Sequence, residues 1–181
     1  MKLKNLIIVA LFLAIGTVLH AVFPGIILNM KSDLSLVMLF LALVFFADKR
    51  NFIVIGLVAG ILAGLTTSLP GGFFPNIIDK TITASIVFLA FALVSRFASS
   101  YGKYVFSVVI SGLGTILSGT IFLSAAILIA HLPAAMFGVM FVSMVLPTAA
   151  VNLILFAALY PLIAKVGARA GFIPAAVSPI R

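Results

Sequence analysis

The chain has 181 residues, of which 65% are hydrophobic and 8% are charged, and its mean hydropathy is +1.43. Soluble domains carry roughly 25% charged residues, so this composition excludes an ordinary soluble domain and indicates an integral membrane protein. The net charge is +8, but the basic residues are few and separated by long apolar runs, which argues against nucleic-acid binding. The absence of cysteine excludes disulfides and thiolate metal sites.

Apolar runs interrupted by charges, proline and glycine predict six membrane-spanning helices. Helices are expected because a lipid-exposed backbone must satisfy its own hydrogen bonds and the runs lack the alternation of a barrel. The sixth span contains Pro147 and Pro161, which predict a kink or break. We expect one transmembrane domain, residues 1–165, and a cytoplasmic tail, residues 166–181. The predicted spans are about 5–23, 34–47, 52–69, 77–95, 104–130 and 135–164.

The basic residues predict the orientation, since short cytoplasmic loops carry an excess of lysine and arginine. Successive loops lie on alternate sides of the membrane. On the side opposite the two termini, the only basic residues are Lys31 and Lys80. Both termini are therefore expected in the cytoplasm. The basic residues on the predicted cytoplasmic side are Lys2, Lys4, Lys49, Arg50, Arg96, Lys103, Lys165, Arg169 and Arg181.

Small residues at four-residue spacing let membrane helices approach closely. The stripes of the third and fifth spans are expected to pack inside the protein. The pair Ala10 and Ala14 in the first span is suited either to internal packing or to docking a partner. The two internal stripes are Gly56, Gly60 and Gly64, and Ser111, Thr115 and Gly119.

Two outer segments each carry one lysine and one aspartate. Lys31 and Asp33 belong to the first outer loop, whereas Asp79 and Lys80 lie in the predicted first turn of the fourth span. One interpretation is two interfacial ion pairs, which contribute little to stability. The other is a site for a small zwitterion, in which either lysine binds a carboxylate and either aspartate binds an ammonium.

Further side chains could complete such a site. Phe73 and Phe74 are candidates for stacking on an apolar ligand. The two histidines, His20 and His131, are expected at the outer interface rather than as ligands. Serine and threonine hydroxyls in membrane helices often donate to backbone carbonyls of their own helix. The hydroxyl candidates could therefore form such bonds instead of contacting a ligand. The polar candidates are Asn76, Thr115, Ser118 and Asn152.

The sequence contains no motif of a soluble enzyme. The nucleotide-binding patterns GxxxxGK[ST] and GxGxxG, the zinc motif HExxH and the nucleophile motif GxSxG are all missing. Three acids cannot build a carboxylate metal site. We therefore expect no enzymatic activity, no cofactor and no bound metal, and any ATP hydrolysis would occur on a partner subunit.

Three sequence strings are similar to a known family. They are MKSD at 30–33, PNIIDK at 75–80, and GTILSG at 114–119 with FLS at 122–124. With them, the first span and the segment from Leu146 to Asn152, roughly residues 1–165 resemble the TrpP family of bacterial tryptophan transport proteins. Ser32 and Thr81 stand where proline is expected in this family, so local loop geometry is expected to differ there.

The size, the six spans and the alanine pair of the first span also resemble the substrate-binding S components of energy-coupling factor (ECF) importers. This resemblance implies an S-component-like bundle in the bacterial plasma membrane, with its binding site under the outer loops. It also implies that Ala10 and Ala14 dock onto a scaffold transmembrane subunit that works with two ATPase subunits. The first outer loop would then serve as the lid.

The expected function is uptake of an aromatic amino acid, with tryptophan favoured by the resemblance over related indole compounds. One alternative is a standalone proton-coupled carrier in which Asp79 titrates. A membrane partner protein without a substrate is a second alternative. An intramembrane enzyme using serine or histidine is disfavoured, because no pairing of a base with a nucleophile is visible.

Overall fold

The computed structural model describes residues 3–22 and 33–172, and the regular structure of these residues is helical. Within these described ranges, four segments are long and apolar enough to cross a membrane, and two shorter apolar helices accompany them. This confirms the predicted all-α, six-helix membrane fold. The elements are α1 (Leu3–Val22), α2 (Ser35–Phe46), α3 (Phe52–Leu65), α4 (Phe73–Phe97), α5 (Ser100–Ile129), α6 (Met136–Met140), a π-helical turn (Phe141–Val145) and α7 (Leu146–Arg169).

Three helix ends differ from the prediction, and the first two of them affect the interior. Helix α4 begins at Phe73, four residues before the predicted start, because Pro75 is tolerated in a first helical turn, where its missing N–H needs no partner. Helix α3 ends at Leu65 instead of about residue 69. Helix α7 continues to Arg169, so the first residues of the predicted tail are helical.

The predicted break in the sixth span is present, and it is a π-helical turn. This turn comes directly before α7, in which Pro147 occupies the second position. Proline lacks the N–H that a continuous α-helix would require, and π-helical turns often occur at functional sites. Pro161 lies inside α7 without ending the helix.

Aromatic rings join the helices in the half of the bundle near the predicted cytoplasmic ends. The rings of Phe12 and Phe46 are 5.7 Å apart, and those of Phe52 and Phe88 stack at 4.6 Å. Tyr160 of α7 packs against Tyr104 of α5 at 5.5 Å. Helix α2 runs through this core almost entirely buried. This half therefore supplies much of the apolar packing and leaves the other half for polar side chains.

The glycine stripe of α3 packs directly on α4, which confirms the predicted internal role. A Cβ added at Gly60 would lie 2.7 Å from Cα of Ile77, and one at Gly56 would lie 2.9 Å from the carbonyl oxygen of Lys80. On α5, a Cβ at Gly119 would meet Val145 at 2.6 Å. The small residues thus hold α4 close to α3 at the level of Lys80.

We expect Gly60→Ala to lower the free energy of unfolding by about 1–3 kcal/mol, because the added methyl group meets helix backbone and the two helices must separate. Thermal unfolding of the purified protein in detergent measures this loss. Gly138→Ala is the matched control, since a Cβ at that position meets nothing within 4 Å. Equal unfolding temperatures for the two variants would contradict the assigned packing.

Candidate functional site

A cavity of about 390 Å³ lies in the half of the bundle away from the aromatic rings. Its size is at the lower end of the roughly 300–1,000 Å³ typical of small-molecule sites. Its walls come from the end of α1, the segment that follows α3, the start of α2, and parts of α4, α5 and the sixth span. The polar lining includes His20, Asp33, Asn76, Asp79, Lys80, Thr115 and Ser118, and the apolar lining includes Leu36, Phe122, Leu123, Met140, Met144 and Val145.

Lys80 is the centre of the polar wall, and only 2% of its side chain is exposed. Its Nζ lies 2.6 Å from Oδ2 of Asp33 and 2.5 Å from Oδ2 of Asp79. It also lies 3.3 Å from Oγ of Ser118. A lysine ammonium has three N–H donors, so these three contacts account for all of them.

Asp79 is held by partners on two helices. The Thr83 hydroxyl donates to Oδ1 at 2.9 Å, and the Ser118 hydroxyl donates to Oδ2 at 2.9 Å. Thr83 is four residues along α4 and therefore on the same helix face as Asp79. With Lys80, these groups satisfy the Asp79 carboxylate although its side chain is fully buried.

Asp33 lies just before α2, and besides Lys80 it contacts one hydroxyl and one imidazole. The Ser35 hydroxyl donates to its Oδ1 at 2.5 Å, and Nδ1 of His20 lies 3.9 Å from the same oxygen. Burial by itself would raise the pKa of Asp33, but the electrostatic effect of Lys80 and His20, with hydrogen bonds from Lys80 and Ser35, lowers it to about 2. Asp33 is therefore ionised at neutral pH.

Asn152 contacts two members of the site but does not line the cavity. Its amide donates to the backbone carbonyl of Asp33 at 3.0 Å and lies 3.4 Å from Oγ1 of Thr115. It is fully buried but is absent from the cavity lining. In the structure, Asn152 therefore fixes the backbone of Asp33 by a hydrogen bond. Thr115, by contrast, lines the cavity itself.

The structure corrects the interpretation of Asp79 and Lys80 as an interfacial ion pair. Because α4 begins at Phe73, the two residues lie in its second turn and are buried. Lys80, moreover, joins both aspartates into one cluster, where the sequence suggested two separate pairs. Lys31 lies outside the described residues.

The predicted aromatic candidates do not line the cavity. Phe73 packs against Gly64 of α3, and the side chain of Phe74 points outward with 62% of the residue exposed. The apolar wall comes mostly from α5 and the sixth span instead, and Phe122 provides its aromatic ring. Asn76 does reach the cavity, and its amide donates to the carbonyl of Gly72 at 2.8 Å.

Sequence reasoning missed three members of this site. His20 was expected at the interface, yet it is 9% exposed and lines the cavity. Thr83 could have been found from its spacing of four residues after Asp79, which places both on one helix face. Phe122 belongs to the FLS string of the family resemblance, but nothing in the sequence marks it as a cavity residue among the other apolar residues of α5.

Comparison with known proteins identifies the family. Residues 2–167 match the family described as tryptophan transporter TrpP. The chain belongs to the TrpP family. A relative in Bacillus subtilis is 42% identical over 97% of this chain and 99% of its own length. One in Clostridium acetobutylicum is 42% identical over 85% and 88%, and one in Clostridium perfringens is 36% identical over 90% and 92%.

All three relatives of this TrpP family member are named probable tryptophan transport protein. The resemblance to the TrpP family is therefore confirmed, and the chain is a multi-pass membrane transport protein rather than an enzyme. No solved structure matches the chain.

We expect Lys80→Met to destabilise the protein by about 3–5 kcal/mol, because it leaves two buried carboxylates without their cation. Adding Asp79→Asn to this variant should recover part of the loss. Lys49→Met, which replaces an exposed lysine, is the control and should unfold like the unaltered protein. Thermal unfolding in detergent compares the three, and a Lys80→Met variant as stable as the control would show that the cluster contributes nothing to the fold.

Proposed function

We propose that this chain binds tryptophan at the Lys80 cavity and imports it across the bacterial plasma membrane as the substrate-binding subunit of an ECF-type importer. The observation that carries the proposal is a buried lysine between two aspartates in the wall of a largely apolar cavity. The names of the relatives support tryptophan as the substrate.

The cavity chemistry suits an aromatic zwitterion. A charged group in a dry site must be paired, and Lys80 offers a partner for a carboxylate while Asp33 and Asp79 offer partners for an ammonium. An indole ring would lie against Phe122 and the side chains of Met140 and Met144, since methionine sulfur makes favourable contacts with aromatic rings.

The position of the cavity supports uptake from outside the cell. The predicted cytoplasmic charges, such as Lys4, Lys49 and Arg96, lie at the ends of helices on the aromatic side of the bundle. The cavity is in the opposite half, so the orientation expected from the basic residues places it toward the exterior. Tryptophan would therefore enter the site before it crosses the membrane.

The surface of α1 supports a partner. Ala10 and Ala14 are exposed on this helix, and small exposed residues allow another membrane helix to approach closely. In the proposal, the scaffold transmembrane subunit docks here, two ATPase subunits supply the energy, and the chain itself needs no cofactor. Proton-coupled transport by the chain alone is the rival, and uptake by liposomes containing only this chain under a pH gradient would establish it.

Because the chain contains no tryptophan of its own, binding can be followed through the fluorescence of the ligand. We expect tryptophan emission to shift to shorter wavelength when the purified protein is added, since the indole ring leaves water for an apolar wall. Ser68→Phe should abolish the shift, because Ser68 is an exposed residue that lines the cavity.

Leu65→Phe is the control for this experiment, since Leu65 is 70% exposed and is not part of the lining. It should bind tryptophan like the unaltered protein. No emission shift with the unaltered protein would refute tryptophan as the substrate. A shift that persists in Ser68→Phe would place the binding site elsewhere.

The docking surface has its own test. We expect the double variant Ala10→Leu/Ala14→Leu to keep tryptophan binding but to lose at least about tenfold in cellular uptake, because the larger side chains keep the scaffold helix away. Co-purification of ATPase subunits with the chain should fall in parallel. Ala150→Leu/Ala158→Leu, on the exposed side of α7, is the matched control. Undiminished uptake by the α1 variant would exclude these alanines as the docking site.

A further inference from the structure

We infer that Asp33 is an internal stand-in for the substrate carboxylate, and that an α-amino acid binds by exchanging ion pairs with it. In the structure, Asp33 forms an ion pair with Lys80. When the amino acid binds, its carboxylate pairs with Lys80 and its ammonium pairs with Asp33. This inference rests on the proposed function and specifies how the same cavity recognises its ligand.

The first step is the saturation of Lys80. Its three N–H donors face Asp33, Asp79 and Ser118 at 2.6, 2.5 and 3.3 Å. A carboxylate that enters the cavity therefore finds no free donor on this lysine. It can pair with Lys80 only if one of these groups leaves.

The second step is the difference between the two aspartates. The Asp79 side chain is fully buried and keeps two hydroxyl donors, Thr83 and Ser118, from two helices. The Asp33 side chain is 22% exposed, precedes the first turn of α2 and lines the cavity. Asp33 is thus the partner that can turn away from Lys80, and Asp79 is the one that keeps Lys80 in place.

The third step is what Asp33 gains when it turns. Without Lys80 it would be a largely buried carboxylate that has lost its nearest cation, which is costly. An ammonium on the same ligand restores that ion pair. The exchange is therefore favourable only for a ligand that carries both groups, as every free α-amino acid does.

The exchange can be tested on the unaltered protein with four ligands that share one indole ring. They are tryptophan, indole-3-propionate without the ammonium, tryptamine without the carboxylate, and 3-ethylindole without either. We expect loss of one charged group to weaken binding at least about tenfold, and loss of the second to weaken it little further. Isothermal titration calorimetry in detergent gives the four dissociation constants.

Asp33→Ala supplies the second arm. It frees one donor of Lys80, so indole-3-propionate should bind about tenfold more tightly than to the unaltered protein, while tryptophan should bind more weakly. Asp48→Ala is the matched control, because it removes the same charged side chain from the connection between α2 and α3, outside the cavity lining, and leaves Lys80 fully engaged. It should keep the ligand order of the unaltered protein.

The outcomes separate this inference from the proposed function. One outcome is that tryptophan binds while the loss of affinity for 3-ethylindole equals the product of the losses for indole-3-propionate and tryptamine. In that case the charged groups are recognised independently and the exchange is wrong. Weaker binding of indole-3-propionate to a folded Asp33→Ala variant would also overturn it. If none of the four ligands binds the unaltered protein, the proposed substrate fails and the exchange fails with it.

Discussion

The burial of the Lys80 ammonium is the constraint on which the outer half of this protein depends. A buried lysine must be paired and its donors satisfied, and the partners come from separated parts of the chain: Asp33 before α2, Asp79 on α4 and Ser118 on α5. The close approach of α3 through Gly56 fixes the backbone of α4 at this level. One charge thus requires several helices to meet in a particular arrangement.

The two halves of the bundle differ in character, since one is apolar and closely packed and the other holds the cavity and the charged cluster. Near the predicted cytoplasmic ends, α2 is buried among stacked aromatic rings, and such rings add stability beyond the area they bury. The outer half contains the cavity, a π-helical turn and a charged cluster, none of which is the most stable way to fill a membrane protein. The aromatic half makes it possible for the outer half to keep an open, polar interior.

The sequence was sufficient to predict the helices and most of the polar residues that line the cavity, because apolar runs, small-residue stripes and rare charges are local signals. It could not predict the contact between Asp33 and Lys80, which joins residues far apart in the chain and depends on how the helices pack. The burial of Asp79 was missed because it depends on where α4 begins. Pro75 suggested that the helix starts after it, whereas it lies in the first turn of a helix that begins at Phe73. Phe73 and Phe74 stand next to the polar motif in sequence, yet helix geometry turns them away from the cavity.

The charged cluster by itself cannot select tryptophan. Every free α-amino acid carries the same carboxylate and ammonium, so the proposed exchange is the same for all of them and cannot distinguish one amino acid from another. The difference between amino acids must then come from apolar burial, at roughly 25 cal/mol for each Å² removed from water. The side chains that provide it are Phe122, Leu123, Met140 and Met144. Two of these four are flexible methionines, and the π-helical turn holds Met144 at the cavity, so in the proposed site α5 and the sixth span, rather than the charged wall, set which side chain is accepted.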